Sequence, residues 1–117
     1  MKREQRLRSA ADFQRVRDQS PRVWPHPLLV LRVAPNALGY ARVGITVSSR
    51  VGKAVVRNRV KRRVREVFAA RMSSLAGYDL LVVARPASAA ASWLELGAAV
   101  DTVLRRAGAT LATSAGV

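Results

Sequence analysis

Eight lysines and arginines stand in the sixteen residues from Arg50 to Arg65, in a 117-residue chain that carries 21 such cations against seven acids. Guanidinium groups grip phosphate through a planar fork and ammonium groups as compact point charges, so a dense cluster of both suits a polyanion. Eighteen of the 21 cations are arginine. The groups that would cut a phosphodiester are missing. A protein doing that chemistry with its own side chains needs a histidine acid/base pair or carboxylates gathered around a metal. His26 is the only histidine, set between Pro25 and Pro27, and the seven acids are scattered with no D-x-D or E-x-D pair. No cysteine is present, which excludes thiolate metal sites, thiol nucleophiles and disulfides. The sequence therefore offers no catalytic residue and no metal ligand set, and it reads as a binding protein.

The distribution of charge sharpens that reading. Residues 1–65 hold 17 cations and three acids (Glu4, Asp12, Asp18), whereas residues 66–117 hold four of each. Between Asp18 and Glu66 there is no acid at all. A field of one sign repels itself and calls for an external countercharge, whereas a merely solvated surface mixes signs. Nucleic acid is the first candidate and an anionic membrane surface the second. No apolar run approaches the roughly 20 residues that span a bilayer, and no apolar stretch follows the basic N-terminus as in a secretory signal. The expected setting is soluble and cytoplasmic.

The elements that must carry these residues follow from periodicity and punctuation. One domain fills residues 1–117, with flexible ends at about 1–6 and 108–117. Ser9 can cap a short helix over about 9–18 that places Phe13 and Val16 on one face. Prolines at 21, 25 and 27 allow no more than a short edge strand near Arg22 to Trp24. Leu28 to Ala34 reads as a strand, with a turn from Pro35 to Gly39. From Tyr40 to Ser48 the chain alternates, with Ala41, Val43, Ile45 and Val47 on one side and Arg42, Gly44, Thr46 and Ser48 on the other. A long helix is expected from about Ala54 to Leu75, ended by Gly77. Tyr78 to Arg85 is a continuous apolar strand, fit for the middle of a sheet. Ser92 and Glu95 form a capping box that opens a last helix to about Ala107. The fold class is α/β, with helices packed on a small sheet.

On the long helix, Val56, Val60, Val64, Val67, Phe68 and Met72 make one apolar stripe. Asn58, Arg59, Lys61, Arg62, Arg63 and Arg65 cover almost all the rest, with Arg57 at the boundary, its stem on the apolar edge. Like charges four residues apart cost a few tenths of a kcal/mol per pair, and Glu66 is the only acid on the helix. A membrane-surface helix would carry Trp, Leu or Phe on a broad bulky face. Here the face is valine and is needed as core.

The segment Arg57-Asn58-Arg59-Val60-Lys61-Arg62-Arg63-Val64-Arg65 resembles the R-N-R-x-K-R-x-x-R signature of the bacterial ribonuclease P protein family. Arg6-Leu7 and Phe13 upstream, Val43 to Ser48 before it, and Tyr78-Asp79 after it fit the same frame, so the resemblance covers about residues 6–97. It implies a two-layer α–β sandwich, with three helices on a four-stranded mixed sheet and a left-handed crossover against the usual rule. It also implies a division of labour. A large RNA subunit, using Mg2+ bound mainly by that RNA, cleaves precursor tRNA to release the mature 5′ end. The protein binds the RNA and the 5′ leader, with no obligate protein partner and no membrane.

Carried onto this chain, the signature implies that Arg57, Asn58, Arg59, Lys61, Arg62 and Arg65 contact the catalytic RNA. Ser49, Arg50 and Lys53 extend that surface. The leader is expected in a cleft beside the first helix, touched by Phe13, Arg17, Leu28, Val30 and Arg42. Arg17 stands where the family often has a second aromatic, and Leu28 to Leu31 occupy a strand where aromatics are usual. A general ribosomal or RNA-chaperone protein, or a basic module for membranes or DNA, remains a rival class on charge alone.

Overall fold

The computed structural model describes residues 1–20 and 22–110; the rest of the expected flexible C-terminal end, residues 111–117, lies outside the described residues. Helix α1 spans Ala10–Gln19, followed by strands β1 (Val23–Pro25), β2 (Leu29–Pro35) and β3 (Arg42–Val47). Helix α2 spans Ala54–Ala69, strand β4 Tyr78–Ala84 and helix α3 Trp93–Ala107. The four strands form one sheet in the order β1-β2-β4-β3, antiparallel except that β3 runs parallel to β4. This is the α/β architecture with a mixed four-stranded sheet and three helices.

Local chemistry sets the helix starts. The Ser9 hydroxyl accepts from the Asp12 amide at 3.0 Å, opening α1. At α3 both halves of the capping box form, Glu95 N–H to Ser92 at 3.1 Å and Ser92 N–H to Glu95 at 2.7 Å. Gly108 closes α3 in the left-handed conformation at φ 66°.

Side-chain parity divides the sheet into two faces. Leu29 and Leu31 of β2, Val43 and Ile45 of β3, and Leu80, Val82 and Ala84 of β4 pack with α2 and α3 in the main core. The alternate residues face α1 in three rows across β2, β4 and β3: Ala34–Asp79–Arg42, Arg32–Leu81–Gly44 and Val30–Val83–Thr46. A small second core of Leu7, Val16, Ala34 and Leu81, with Phe13 against it, joins α1 to this face. Gly44 admits that ring, because a Cβ there would lie 2.5 Å from Phe13 Cε1. The third row, Val30–Val83–Thr46, is half-exposed.

Helix α2 docks through Val60, Val64, Val67 and Phe68, all fully buried. At about 1.5–3 kcal/mol per side chain, that stripe outweighs the like-charge repulsion on the outer face several-fold. The helix stops six residues short of the expected end. The apolar spacing continues through Met72 and Leu75, both buried, but the backbone is drawn elsewhere. Met72–Ser74 tightens into a 3₁₀ turn, Leu75 bridges Thr110, and the Ala76 amide donates to the Ala109 carbonyl at 2.9 Å. Periodicity reports burial here, not helix. At the N-terminus Arg3–Gln5 form a 3₁₀ turn, Arg6 bridges Val43 in parallel, and the Leu7 amide donates to the Val43 carbonyl at 3.0 Å.

The main polar tie lies under α1. Asp79 is 0% exposed, and both its oxygens are fully engaged. Oδ1 accepts from Asn36 Nδ2 at 2.9 Å and Arg42 Nε at 2.8 Å; Oδ2 accepts from Arg42 Nη2 at 2.7 Å and from Arg15 Nη2. Burial alone would push this carboxyl up, yet the hydrogen bonds from Arg42, Asn36 and Arg15 hold it below its ordinary value. Such a group stabilises the fold fully above its unfolded value and loses that contribution as pH falls. Thermal unfolding followed against pH should therefore show stability falling below about pH 4, and Asp79→Asn should lack this share of the dependence. Val60→Asp would bury an unpaired charge, costing about 3 kcal/mol or more. Circular dichroism should show that variant largely unfolded, with Arg59→Ala melting close to the parent.

Candidate nucleic-acid interface

At about 100° per residue, the polar surface of α2 divides into three strips around its buried stripe. Arg57, Asn58, Lys61 and Arg65 turn toward the free edge of β3, where they line hollows described below. Arg59 and Arg62 point to open solvent. Arg63 turns the other way and donates from Nη2 to the Ala91 carbonyl at 2.8 Å, clasping α2 to the segment before α3. Arg57 is partly anchored as well, its Nη1 donating to the Gly52 carbonyl at 2.8 Å. Gly52 supplies that carbonyl from a bend at φ 147°, a conformation that favours glycine. Ser49 and Arg50 lie exposed in the 3₁₀ turn just before it, and Lys53 is exposed at the N-cap of α2.

No cation of this segment is neutralised from within. The ion pairs among the described residues join Arg15 to Asp12 and Asp79, Arg42 to Asp79, and Arg71 to Asp101. The Arg71 guanidinium pulls the Asp101 carboxyl below its usual range, and Arg71 also donates to the Val67 carbonyl at 2.8 Å. Acids thus tie arginines of α1, β3 and the turn after α2 into the fold, and among the described residues none pairs with Arg50 to Arg65.

Between α1 and α2 the free edge of β3 floors a basic groove. Two hollows of about 280 Å³ each share Phe13, Ile45 and Lys61. One adds Arg6, Leu7, Arg8, Val43 and Arg65; the other adds Thr46, Val47, Arg57 and Asn58. Because the Val43 carbonyl points outward to Leu7, strand parity turns the Ile45 main-chain groups to the same side. The groove therefore joins cations and one half-exposed aromatic ring, the parts that bind single-stranded nucleic acid by backbone charge and base stacking, beside a strand edge that Leu7 pairs with at Val43.

Of the five residues expected to touch a leader, the structure brings some together and separates others. Phe13 stands at the centre of the groove, and Arg17 is exposed one turn further along α1. Val30 lies in the open row that reaches Thr46. Leu28 does not join them. The His26–Leu29 turn, with Leu28 N–H donating to His26 Nδ1 at 3.0 Å, sets its side chain on the other face beside Pro27, Ala98 and Thr102. Arg42 faces α1 as its parity requires, but its guanidinium is clamped by Asp79. Arg6 and Arg8, which line the groove from the N-terminal segment, and Gly44 lie outside the contact set the sequence predicts. A glycine inside an alternating strand was the available signal for a close approach.

Among the described residues no three of His, Asp and Glu are grouped to hold a metal ion, and Asp79 is saturated by its donors. No helix of the described residues is long and apolar enough to cross a membrane.

Known proteins share much of this sequence and this fold. The family model for ribonuclease P matches residues 1–108. The ribonuclease P protein component of Herpetosiphon aurantiacus is 44% identical over 108 residues, covering 92% of this chain and 87% of that protein. Its counterpart in Roseiflexus castenholzii is 44% identical over 110 residues, covering 92% and 89%. Among solved structures, the RNase P protein of Staphylococcus aureus superposes with a TM-score of 0.82 at 30% identity, covering 92% of this chain and 98% of that one. That of Thermotoga maritima gives 0.77 at 27% identity, covering 86% and 96%. Sequence and fold agree along almost the whole length, and the chain belongs to the ribonuclease P protein family, as the protein subunit of that ribonucleoprotein endoribonuclease.

Proposed function

We propose that this subunit lends charge and one aromatic ring to an RNA that does the cutting. The exposed cations of α2, with Ser49, Arg50 and Lys53 before it, lie on the catalytic RNA close to the cleavage site. The 5′ leader of precursor tRNA runs through the groove beside them. The observation that carries this reading is that Arg50 to Arg65 meet no acid among the described residues while bordering a groove that holds Phe13.

Two polyanions brought together repel, and counterions must be released wherever a cation meets a phosphate. Arg59 and Arg62, on the outer strip, can face one RNA while Arg57, Lys61 and Arg65 face a strand in the groove. A single helix then neutralises catalyst and substrate at once. Stacking one leader base on Phe13 contributes about 1–3 kcal/mol without demanding a particular base. The hydrolytic chemistry, including Mg2+, belongs to the RNA. The lone His26 is held in its turn by the Leu28 amide, and the chain presents no acid/base pair. Arg17 and the open row through Val30 extend the leader path; Arg42 acts only through Asp79, and Leu28 takes no part.

Adding the protein to a bacterial ribonuclease P RNA at low Mg2+ should raise the rate of leader removal from precursor tRNA. Absence of any stimulation there would overturn the assignment of leader and RNA contacts. Arg59→Ala combined with Arg62→Ala should weaken binding to the catalytic RNA with the fold intact. For about six neutralised phosphates, log K should fall against log salt with a slope of about −4 to −5, and the double variant should be shallower by about two. A flat salt response in the parent would contradict the electrostatic account.

A further inference from the structure

One buried charged group has no part in the binding surface just described. Asp79 lies on β4 beneath α1, and its four hydrogen bonds come from three different places: Arg15 on α1, Arg42 on β3 and Asn36 in the β2–β3 turn. Asn36 is itself fixed, donating to the Tyr40 carbonyl at 3.0 Å and accepting from the Leu38 amide at 2.9 Å. Burying a carboxylate is costly, and removing one member of such a network leaves the remaining charge uncompensated.

Helix α1 has need of such a fixture. Val16 is its only fully buried side chain, and Phe13, three residues earlier, packs on the same stripe. Contacts along one line leave a helix free to roll about that line. Ser20 adds a hydrogen bond to the Val33 carbonyl at 2.8 Å, holding the C-terminal end without stopping the roll. Arg15 projects about 100° around the helix from Val16, and its grip on Asp79 sets the rotation. That rotation decides where the Phe13 ring sits over Gly44 and how wide the groove is opposite Lys61.

We propose that Asp79 is the positioning residue of the leader groove: by holding Arg15 and Arg42 together it locks the roll of α1 and so places Phe13 opposite the cations of α2. The proposal rests on the leader-binding reading above. It makes Asp79 act through α1 and Phe13, never by touching RNA.

Charge separates this from an electrostatic effect. The formal net charge is +14; Asp79→Asn raises it by one, and Arg15→Gln lowers it by one. If only charge mattered, the two variants would shift affinity for RNA in opposite directions. Positioning requires both to weaken it, and only the part that depends on the leader. The experiment measures affinity of the reconstituted holoenzyme for precursor tRNA with a long leader and with a one-nucleotide leader, alongside amide hydrogen exchange of the free protein.

The long-leader advantage should fall about tenfold in both variants, the size of one lost stacking contact. Affinity for the short-leader substrate should change little, and exchange should quicken in α1 but not α2. An unchanged or increased leader advantage in Asp79→Asn, or opposite shifts in the two variants, overturns the proposal. Should Asp79→Asn fail to fold, Arg15→Gln decides, since it leaves Asp79 paired with Arg42 and Asn36. If the parent shows no leader advantage, the leader reading falls. The exchange arm then still tests the lock: unchanged α1 exchange in both variants overturns it.

Discussion

Seven carboxylates serve twenty-one cations in this protein, and where they sit decides what the molecule presents to the outside. Asp79 and Asp101 answer arginines that hold helices in place, Arg15 and Arg42 on one side of the sheet and Arg71 on the other. Glu95 is turned to the N-terminus of its own helix. None is available to the segment from Arg50 to Arg65. Charge is thus sorted by depth and by element: paired where it fixes geometry, unpaired along the outer face of α2 and the turn before it. The valine stripe of α2 makes the sorting possible, because apolar burial holds the most repulsive helix without help from acids.

The same division explains why one helix carries several roles. Three strips of α2 face the groove, the solvent and the segment before α3. Positions that look alike in sequence therefore differ in use. Arg62 is exposed, whereas its neighbour Arg63 is taken by the Ala91 carbonyl. Lys61 borders both hollows beside Phe13. A motif of near-identical cations becomes a set of distinct positions only once the helix is seated on the sheet.

Much of this was legible in the residues. The alternation from Ala41 to Val47 gave the two faces of β3, the caps at Ser9 and Ser92 gave helix starts, and the basic run gave the surface. Two of the failures are cases of long-range pairing, and the third, at Leu28, is a local turn. The end of α2 moved to Ala69 because Leu75 and Ala76 bond to Thr110 and Ala109, a partner no local pattern announces. Arg42 looked available because its acid lies 37 residues away. Leu28 looked like the start of a strand face, but the preceding turn rotates it to the other side. Period and punctuation report what a residue's neighbours in sequence permit; they are silent about which distant group will claim it.

The edge of β3 beyond Val43, past the pairing with Arg6 and Leu7, has a second consequence. A bare strand edge beside apolar Ile45 and Val47 is a template on which a second copy could add its own strand, the usual route to sheet-mediated aggregation. Here that edge is overhung by Arg57, Lys61 and Arg65 and approached by Arg6 and Arg8. Another molecule of this chain would bring the same cations to the same place. These charges thus act as gatekeepers against self-association, and the edge can stay open without becoming a seam between copies.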